Sequence, residues 1–151
     1  KQTTIFIILI NSLAMISYTL SDIDNSNIYQ KTLQIIENIC DAHDLNNDFG
    51  TISMANQVIV EYLSEYKSCY SLQISFQVDN DSLDIQYNAS QEIFSQIESS
   101  QEKYSLLMDL TDKIEKNADN KSIDLSFHVK PKFNIQRQSN KSVILHKTYN
   151  L

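Results

Sequence analysis

The sequence predicts one α+β domain: a two-layer sandwich in which a mixed, mostly antiparallel sheet is covered on one face by about three helices. The chain has 151 residues, 42% of them hydrophobic, which suits a single domain with a sizeable core. The apolar residues also change their spacing, from helical in the first half of the chain to alternating around residues 72–87 and again near residue 125. This change of period predicts that helices and strands share one core.

The first element is predicted to be a strand over Ile5–Ile10, because this run is continuous and rich in β-branched residues. Lys1 followed by an apolar stretch also resembles a signal peptide, so an exported protein with a signal sequence in residues 1–20 is the alternative. Asn11 and Ser12 interrupt the apolar run, and no clear cleavage site follows it. We therefore expect a strand in a cytoplasmic protein, and no membrane-spanning segment.

Two helices are predicted next, over about Asn27–His43 and Thr51–Tyr66, joined by a turn over Asp41–Gly50. Apolar residues recur at helical spacing in both. In the first helix they are Ile28, Leu33, Ile36, Ile39 and Cys40, and in the second Ile52, Ala55, Val58, Ile59, Tyr62, Leu63 and Tyr66. Gly50 is the only glycine in the chain and is expected to close the turn.

The clearest local pattern is a β-hairpin. Leu72–Val78 and Leu83–Tyr87 alternate apolar and polar residues on either side of the turn sequence Asp79-Asn80-Asp81. Farther along, the spacing predicts a short helix, a longer helix and a last strand, over Ser90–Ser100, Tyr104–Asn117 and Ile123–Val129. Pro131 is expected to end that strand.

Charge divides the chain into a domain over residues 1–130 and a basic tail over residues 131–151. All 19 acidic residues and seven of the 12 basic residues precede Val129, so residues 1–129 have a formal charge of −12 and residues 130–151 have +5. An acidic body argues against a broad nucleic-acid surface. The tail could contact phosphate, the chain's own acidic body or an acidic partner.

The sequence offers no self-sufficient catalytic site and no metal site. One glycine excludes the glycine-rich loops that bind phosphate by close backbone approach. Cys40-Asp-Ala-His43 is the nearest approach to a metal site, but one Cys and one His without a second pair are more typical of a helix end. The tyrosines are scattered and predict no stacking platform for nucleic acid. We therefore expect no catalytic residue, no metal and no cofactor.

The predicted elements follow the order strand, long helix, glycine-marked turn, second helix, hairpin, irregular segment, helix and strand. In this order, over about Thr3–Lys130, the chain resembles the ATP-binding domain shared by gyrase, histidine kinases and related ATPases (GHKL), most closely the bacterial anti-sigma-factor serine kinases. In that family the second helix has a Glu that activates water and, four residues later, an Asn that holds magnesium. The resemblance places Gln57 and Glu61 at these positions, and Gln is a poor base.

The other nucleotide-contacting positions of the family depart in the same way. After the hairpin the family has Asp-x-Gly, which contacts adenine, and the resemblance places Asn88 and Ser90 there. The family's lid has Gly-x-Gly-Leu at the start of a helix, and Ser105 replaces the second of these glycines. Side chains at glycine positions block close backbone approach to a ligand. These five residues are the candidate, vestigial nucleotide site.

The resemblance implies a histidine-kinase-like ATPase fold with a degenerate site that binds ATP weakly or not at all. We expect a regulatory protein-binding module in bacterial signal transduction, whose partner is another protein such as a sigma factor or an anti-sigma antagonist. A homodimer remains open. The alternatives are a divergent active serine kinase that uses ATP and magnesium with Glu61 and Asn88 in altered roles, and an exported α+β interaction protein.

Overall fold

The structure is a computed structural model that describes residues 2–10, 13–20, 27–66, 70–79, 81–129 and 144–150. Its strands are β1 (Gln2–Ile10), β2 (Leu13–Leu20), β3 (Leu72–Val78), β4 (Ser82–Ala89), β5 (Lys113–Lys116), β6 (Ser122–His128) and β7 (Ile144–Asn150). Its helices are α1 (Ile28–His43), α2 (Phe49–Glu65) and α3 (Gln101–Leu110), and a short 3₁₀ helix over Ile97–Ser99 precedes α3.

In the described part of the chain, the seven strands form one sheet in the order β5-β6-β4-β3-β2-β1-β7. Each of the described pairings is antiparallel. The predicted α+β class, with a mostly antiparallel sheet and helices in a second layer, is therefore confirmed. The hairpin predicted around residues 79–81 is also confirmed, with Phe76 opposite Ile85 and Val78 opposite Leu83.

One face of the sheet is buried beneath the helices. Along β3 and β4 every second side chain is buried, because neighbouring side chains of a strand point to opposite faces. The buried set includes Ile74, Phe76, Ile85 and Tyr87, and it packs with the apolar stripes of α1 and α2 in one continuous core. The opposite face bears polar side chains that are half-buried or exposed.

The turn between α1 and α2 differs from the prediction. α1 ends at His43, and Asp44 adopts a left-handed conformation with φ of 57° while its N–H bonds the Cys40 carbonyl. Asp tolerates this conformation better than most residues. Gly50 instead lies inside the first turn of α2, where a Cβ would meet nothing within 4 Å. The prediction that Gly50 closes the turn was therefore wrong.

The helix predicted over Tyr104–Asn117 is two elements. α3 ends at Leu110, and after Thr111 and Asp112 the chain enters β5. The Asp112 carboxylate accepts a hydrogen bond from the His128 N–H at 2.6 Å, which ties the helix end to β6. Ile114, predicted on the helix, instead lies opposite Leu125 across the sheet.

The strand predicted over Ile5–Ile10 is confirmed within β1, and the next strand, β2, follows it in a hairpin in which Ile5 pairs with Tyr18. Within the predicted basic tail over residues 131–151, the structure describes only Ile144–Asn150, which forms β7 and pairs antiparallel with β1. The rest of that tail lies outside the described residues. The sheet therefore extends beyond the domain end predicted at residue 130.

Candidate functional site

A buried polar network joins α1, α2 and β4 at the centre of the molecule. The Asn56 side-chain amide donates to the Thr32 hydroxyl at 2.7 Å, and the Tyr87 hydroxyl donates to the Asn56 amide oxygen at 2.7 Å. The Thr32 hydroxyl in turn donates to the Ile28 carbonyl at 2.8 Å. All three side chains of the network are fully buried. Buried polar groups need such partners, so these bonds fix α1 and α2 on the sheet.

The network keeps the Tyr87 hydroxyl in its neutral form. Complete burial raises the pKa of Tyr87 far above its ordinary value of 10, because the phenolate would lose its hydration. A protonated hydroxyl is the donor that the Asn56 oxygen requires. The network is thus a structural connection between the layers, with no group poised to transfer a proton near neutral pH.

Gln57 and Glu61, predicted at the family's catalytic positions on the second helix, lie together on the exposed side of α2. The Gln57 amide donates to the Glu61 carboxylate at 3.0 Å. The two residues are one turn apart, the spacing at which helical side chains meet. Asn56, which directly precedes Gln57, is the polar residue of this turn that faces the sheet.

Asn88 does not join Gln57 and Glu61. On β4 the neighbouring side chains of Tyr87 and Ala89 are buried in the core beneath the helices, whereas Asn88 is exposed. Because side chains alternate along a strand, Asn88 projects from the opposite face of the sheet. It therefore lies on the far side of the sheet from α2.

Ser90 and Ser105 have separate roles. The Ser90 hydroxyl accepts a hydrogen bond from the Ser71 N–H at 3.0 Å, and the Ser90 N–H donates to the Ser71 carbonyl at 3.0 Å. These two bonds close the open end of the β3–β4 hairpin. Ser105 is an exposed residue of α3. Of the five predicted site residues, the structure brings only Gln57 and Glu61 into direct contact.

An aromatic cluster fixes the segment that follows β4. The Tyr62 hydroxyl donates to the Ile93 carbonyl at 2.5 Å, and the Tyr62 ring stacks on Phe94 with centroids 6.2 Å apart. Tyr66 lies 6.5 Å from Tyr62 and meets Tyr70 edge-on at 6.1 Å. The description of the tyrosines as scattered was therefore incomplete. Tyr62 and Phe94 are buried, so they hold the fold together and offer no free stacking surface.

A polar depression of about 330 Å³ lies on the open face of the sheet. Its lining residues are Ser75, Gln77, Asp84, Gln86, Lys113, Glu115, Asp124 and Ser126. Partial burial raises the pKa of the Asp124 carboxyl above its ordinary value, opposed by a hydrogen bond from Gln86, and the nearby acids Glu115 and Asp84 add to the rise. Lys113 forms an ion pair with Glu115 beside it.

The residues considered for a metal site do not form one. Burial raises the pKa of the Cys40 thiol to about 11, and Asp48 and Asp41 add to this rise. A thiol in that state is neither a nucleophile nor a ready ligand near neutral pH. Burial also lowers the pKa of His43 below its ordinary value. Across the described ranges, no group of three His, Cys, Asp or Glu side chains could hold a metal ion.

The chain matches no protein-family model, and no curated protein resembles it significantly. Among the described residues, no helix is both long and apolar enough to cross a membrane.

Sequence reasoning missed Asn56, although a signal for it was present. Asn56 lies four residues after Ile52 and three before Ile59, on the apolar stripe of α2. A polar residue on such a stripe predicts a buried hydrogen-bonded group.

Proposed function

We propose that this chain is a regulatory protein-binding module, a degenerate relative of the GHKL ATP-binding domains of the anti-sigma-factor type, with weak or no ATP binding. Its partner in this proposal is another protein, such as a sigma factor or an anti-sigma antagonist, in cytoplasmic bacterial signal transduction. The order of β2, α1, α2, the β3–β4 hairpin and α3 is compatible with that resemblance.

The observation that best supports the proposal is the separation of the residues at nucleotide-contacting positions. Gln57 and Glu61 bond each other on the exposed side of α2, while Asn88 projects from the other face of the sheet. A nucleotide site requires its donors and acceptors to converge on one ligand. Between α2 and the sheet, the space is occupied by the Thr32–Asn56–Tyr87 network.

Isothermal titration of the full chain with ATP and magnesium tests this function. We expect no saturable heat with a Kd below about 100 μM, which is roughly −5.5 kcal/mol. The matched variant is the double substitution Gln57→Glu with Glu61→Asn, which restores the family's residue types on α2. We expect it to remain unable to bind, because Ser90 and Ser105 still stand where the family has glycine. Binding tighter than 100 μM by the unaltered chain would instead favour the divergent kinase.

The compartment has its own test. Mass spectrometry of the native protein's N-terminus is expected to find residues 2–20 present, as β1 and β2 of the sheet. A mature N-terminus near residue 20 would contradict a cytoplasmic protein and favour the exported alternative. This result would leave the nucleotide experiment unaffected.

A further inference from the structure

β5 forms one edge of the described sheet. It pairs with β6 alone, so its other side faces outward among the described residues. The Asn117 N–H bonds the Ser122 carbonyl at 3.2 Å, and hydrogen-bonded pairs recur at every second residue of an antiparallel ladder. Lys113 and Glu115 therefore direct their backbone groups toward β6. The N–H and C=O groups of Ile114 and Lys116 point to the open edge.

A surface of mixed polar and apolar side chains accompanies this edge on the helix side of the sheet. Of the ten residues of α3, Leu107 is the buried one, and Met108 is 59% exposed. A hollow of about 170 Å³ separates α3 from β5, lined by Tyr104, Met108, Thr111, Asp112, Lys113 and Ile114. Exposed apolar groups beside an unpaired strand edge are typical of a surface that another chain covers.

The residues of β5 are complementary in charge to their own reversed order. The sequence from residue 112 is Asp-Lys-Ile-Glu-Lys. When it is laid antiparallel to itself about Ile114, Lys113 falls opposite Glu115 and Asp112 falls opposite Lys116. Within β5, Lys113 and Glu115 then each face the opposite sign, and the central position is apolar. Asp112 precedes the strand and is bonded to β6 through its N–H and its carboxylate, and Lys116 forms an ion pair with Glu98. Opposite charges directly across an antiparallel pair are stabilising.

We propose that β5 pairs antiparallel with β5 of a second copy of this chain, about a twofold axis through Ile114. This register uses the outward backbone groups of Ile114 as its hydrogen-bonded pair. On the open face, Lys113 meets the partner's Glu115, and Glu115 meets the partner's Lys113. On the helix side, Ile114 meets the partner's Ile114, and the two copies of Met108 flank this contact.

The symmetry of the charges favours a second copy over an unrelated extended segment. A twofold interface presents the same surface from both subunits, so it requires a self-complementary strand. A different partner imposes no such requirement. An alternative register has the twofold axis at Glu115. In that register, Glu115 would lie opposite the partner's Glu115. Like charges in that position are destabilising, so the axis at Ile114 is preferred.

Sedimentation equilibrium of the full chain at concentrations up to about 100 μM tests the pairing. We expect a monomer–dimer equilibrium. Lys113→Glu or Glu115→Lys places two like-charged contacts across the axis, and each should weaken the dimer by about tenfold or more. The double substitution Lys113→Glu with Glu115→Lys restores opposite signs and should recover most of the lost affinity. Lys31→Glu on α1 is the matched control, with the same charge change away from β5.

Three results would overturn the proposal. The first is a chain that stays monomeric at 100 μM, which would leave the edge open to a different extended partner. The second is a dimer that Lys113→Glu weakens no more than Lys31→Glu does. The third is a double substitution that is as weak as either single one. Circular dichroism of each variant separates weak pairing from misfolding, and if Lys113→Glu fails to fold, Glu115→Lys tests the same contact.

Discussion

The two faces of the sheet differ in how they use polar residues. The helix-covered face buries apolar side chains and includes Tyr87, whose hydroxyl is bonded to Asn56. The open face bears polar side chains, among them Asp84 and Asp124, around a depression that solvent can reach. Polarity on the covered face therefore serves the fold.

This difference has a consequence for function. Asn88 belongs to the open face, and Gln57 lies on the outer side of α2. Residues that the resemblance assigns to nucleotide contact are thus distributed over separate surfaces. Between α2 and the covered face of the sheet lies the hydrogen-bonded network of Thr32, Asn56 and Tyr87.

Truncating a core side chain on the covered face should have the largest effect. Phe76→Ala removes a fully buried ring from the centre of β3 and should lower the free energy of unfolding by about 3–5 kcal/mol. Gln77→Ala, the next residue on the open face, should change it by less than about 0.5 kcal/mol. Urea titration of both variants measures the difference, and equal effects would refute the assignment of the faces.

On α2, substituting the inward-facing Asn56 should also cost more stability than substituting its exposed neighbour Gln57. Asn56→Ala leaves Tyr87 and Thr32 without their shared buried partner, and should lower the free energy of unfolding by about 2–3 kcal/mol. Gln57→Ala alters the adjacent exposed amide and should change stability by less than about 0.5 kcal/mol. If the Gln57 variant were the less stable of the two in a urea titration, the orientation of α2 would be wrong.

Because His43 is buried, the free energy of unfolding should fall in mild acid. Its pKa is lowered in the folded chain, so the unfolded chain binds the proton first as the pH falls through about 6.5. Stability should therefore decline from pH 6.5 downward until the folded pKa is passed. The slope contributed by His43 is at most one proton, and His43→Gln should remove it. Urea midpoints of both chains between pH 7.5 and about 5 check this, and parallel curves would contradict it.

The smallest effect concerns Asp124 on the open face. Its pKa is raised in the folded chain, so its ionised form is disfavoured there at neutral pH. Asp124→Asn should raise the melting temperature slightly at pH 7, and the gain should vanish as the pH falls through the folded pKa toward 3.8. Asp109→Asn on α3 is the control for the charge change. A lower melting temperature for Asp124→Asn alone would show that the carboxylate is needed.

The elements with a regular period could be predicted from the sequence, because periodicity follows directly from burial. α1, α2 and the β3–β4 hairpin belong to this group. The stretch after Leu110 could not, since Leu110 and Ile114 are four residues apart and fit both a helix and a strand. The change to β5 is accompanied by a contact with a residue distant in sequence. In this contact the His128 N–H donates to the Asp112 carboxylate.

The site was harder to predict than the fold. Sequence positions identified Gln57, but adjacent helical residues differ by about 100° in direction, and the inward one is Asn56. Which strand face receives Asn88 depends on the register of the whole sheet. Self-complementarity of β5 could not be noticed before β5 was known to be a strand at an edge.

The positions of Gln57, Glu61, Asn88, Ser90 and Ser105 predict that these residues do not act as one site. The most direct test is NMR titration of the isotope-labelled chain with ATP and magnesium, following the backbone amides of Gln57, Glu61, Asn88, Ser90 and Ser105. We expect no common saturation curve for these amides at nucleotide concentrations up to about 1 mM. Shifts of all five that saturate together, with a Kd below about 100 μM, would contradict the claim.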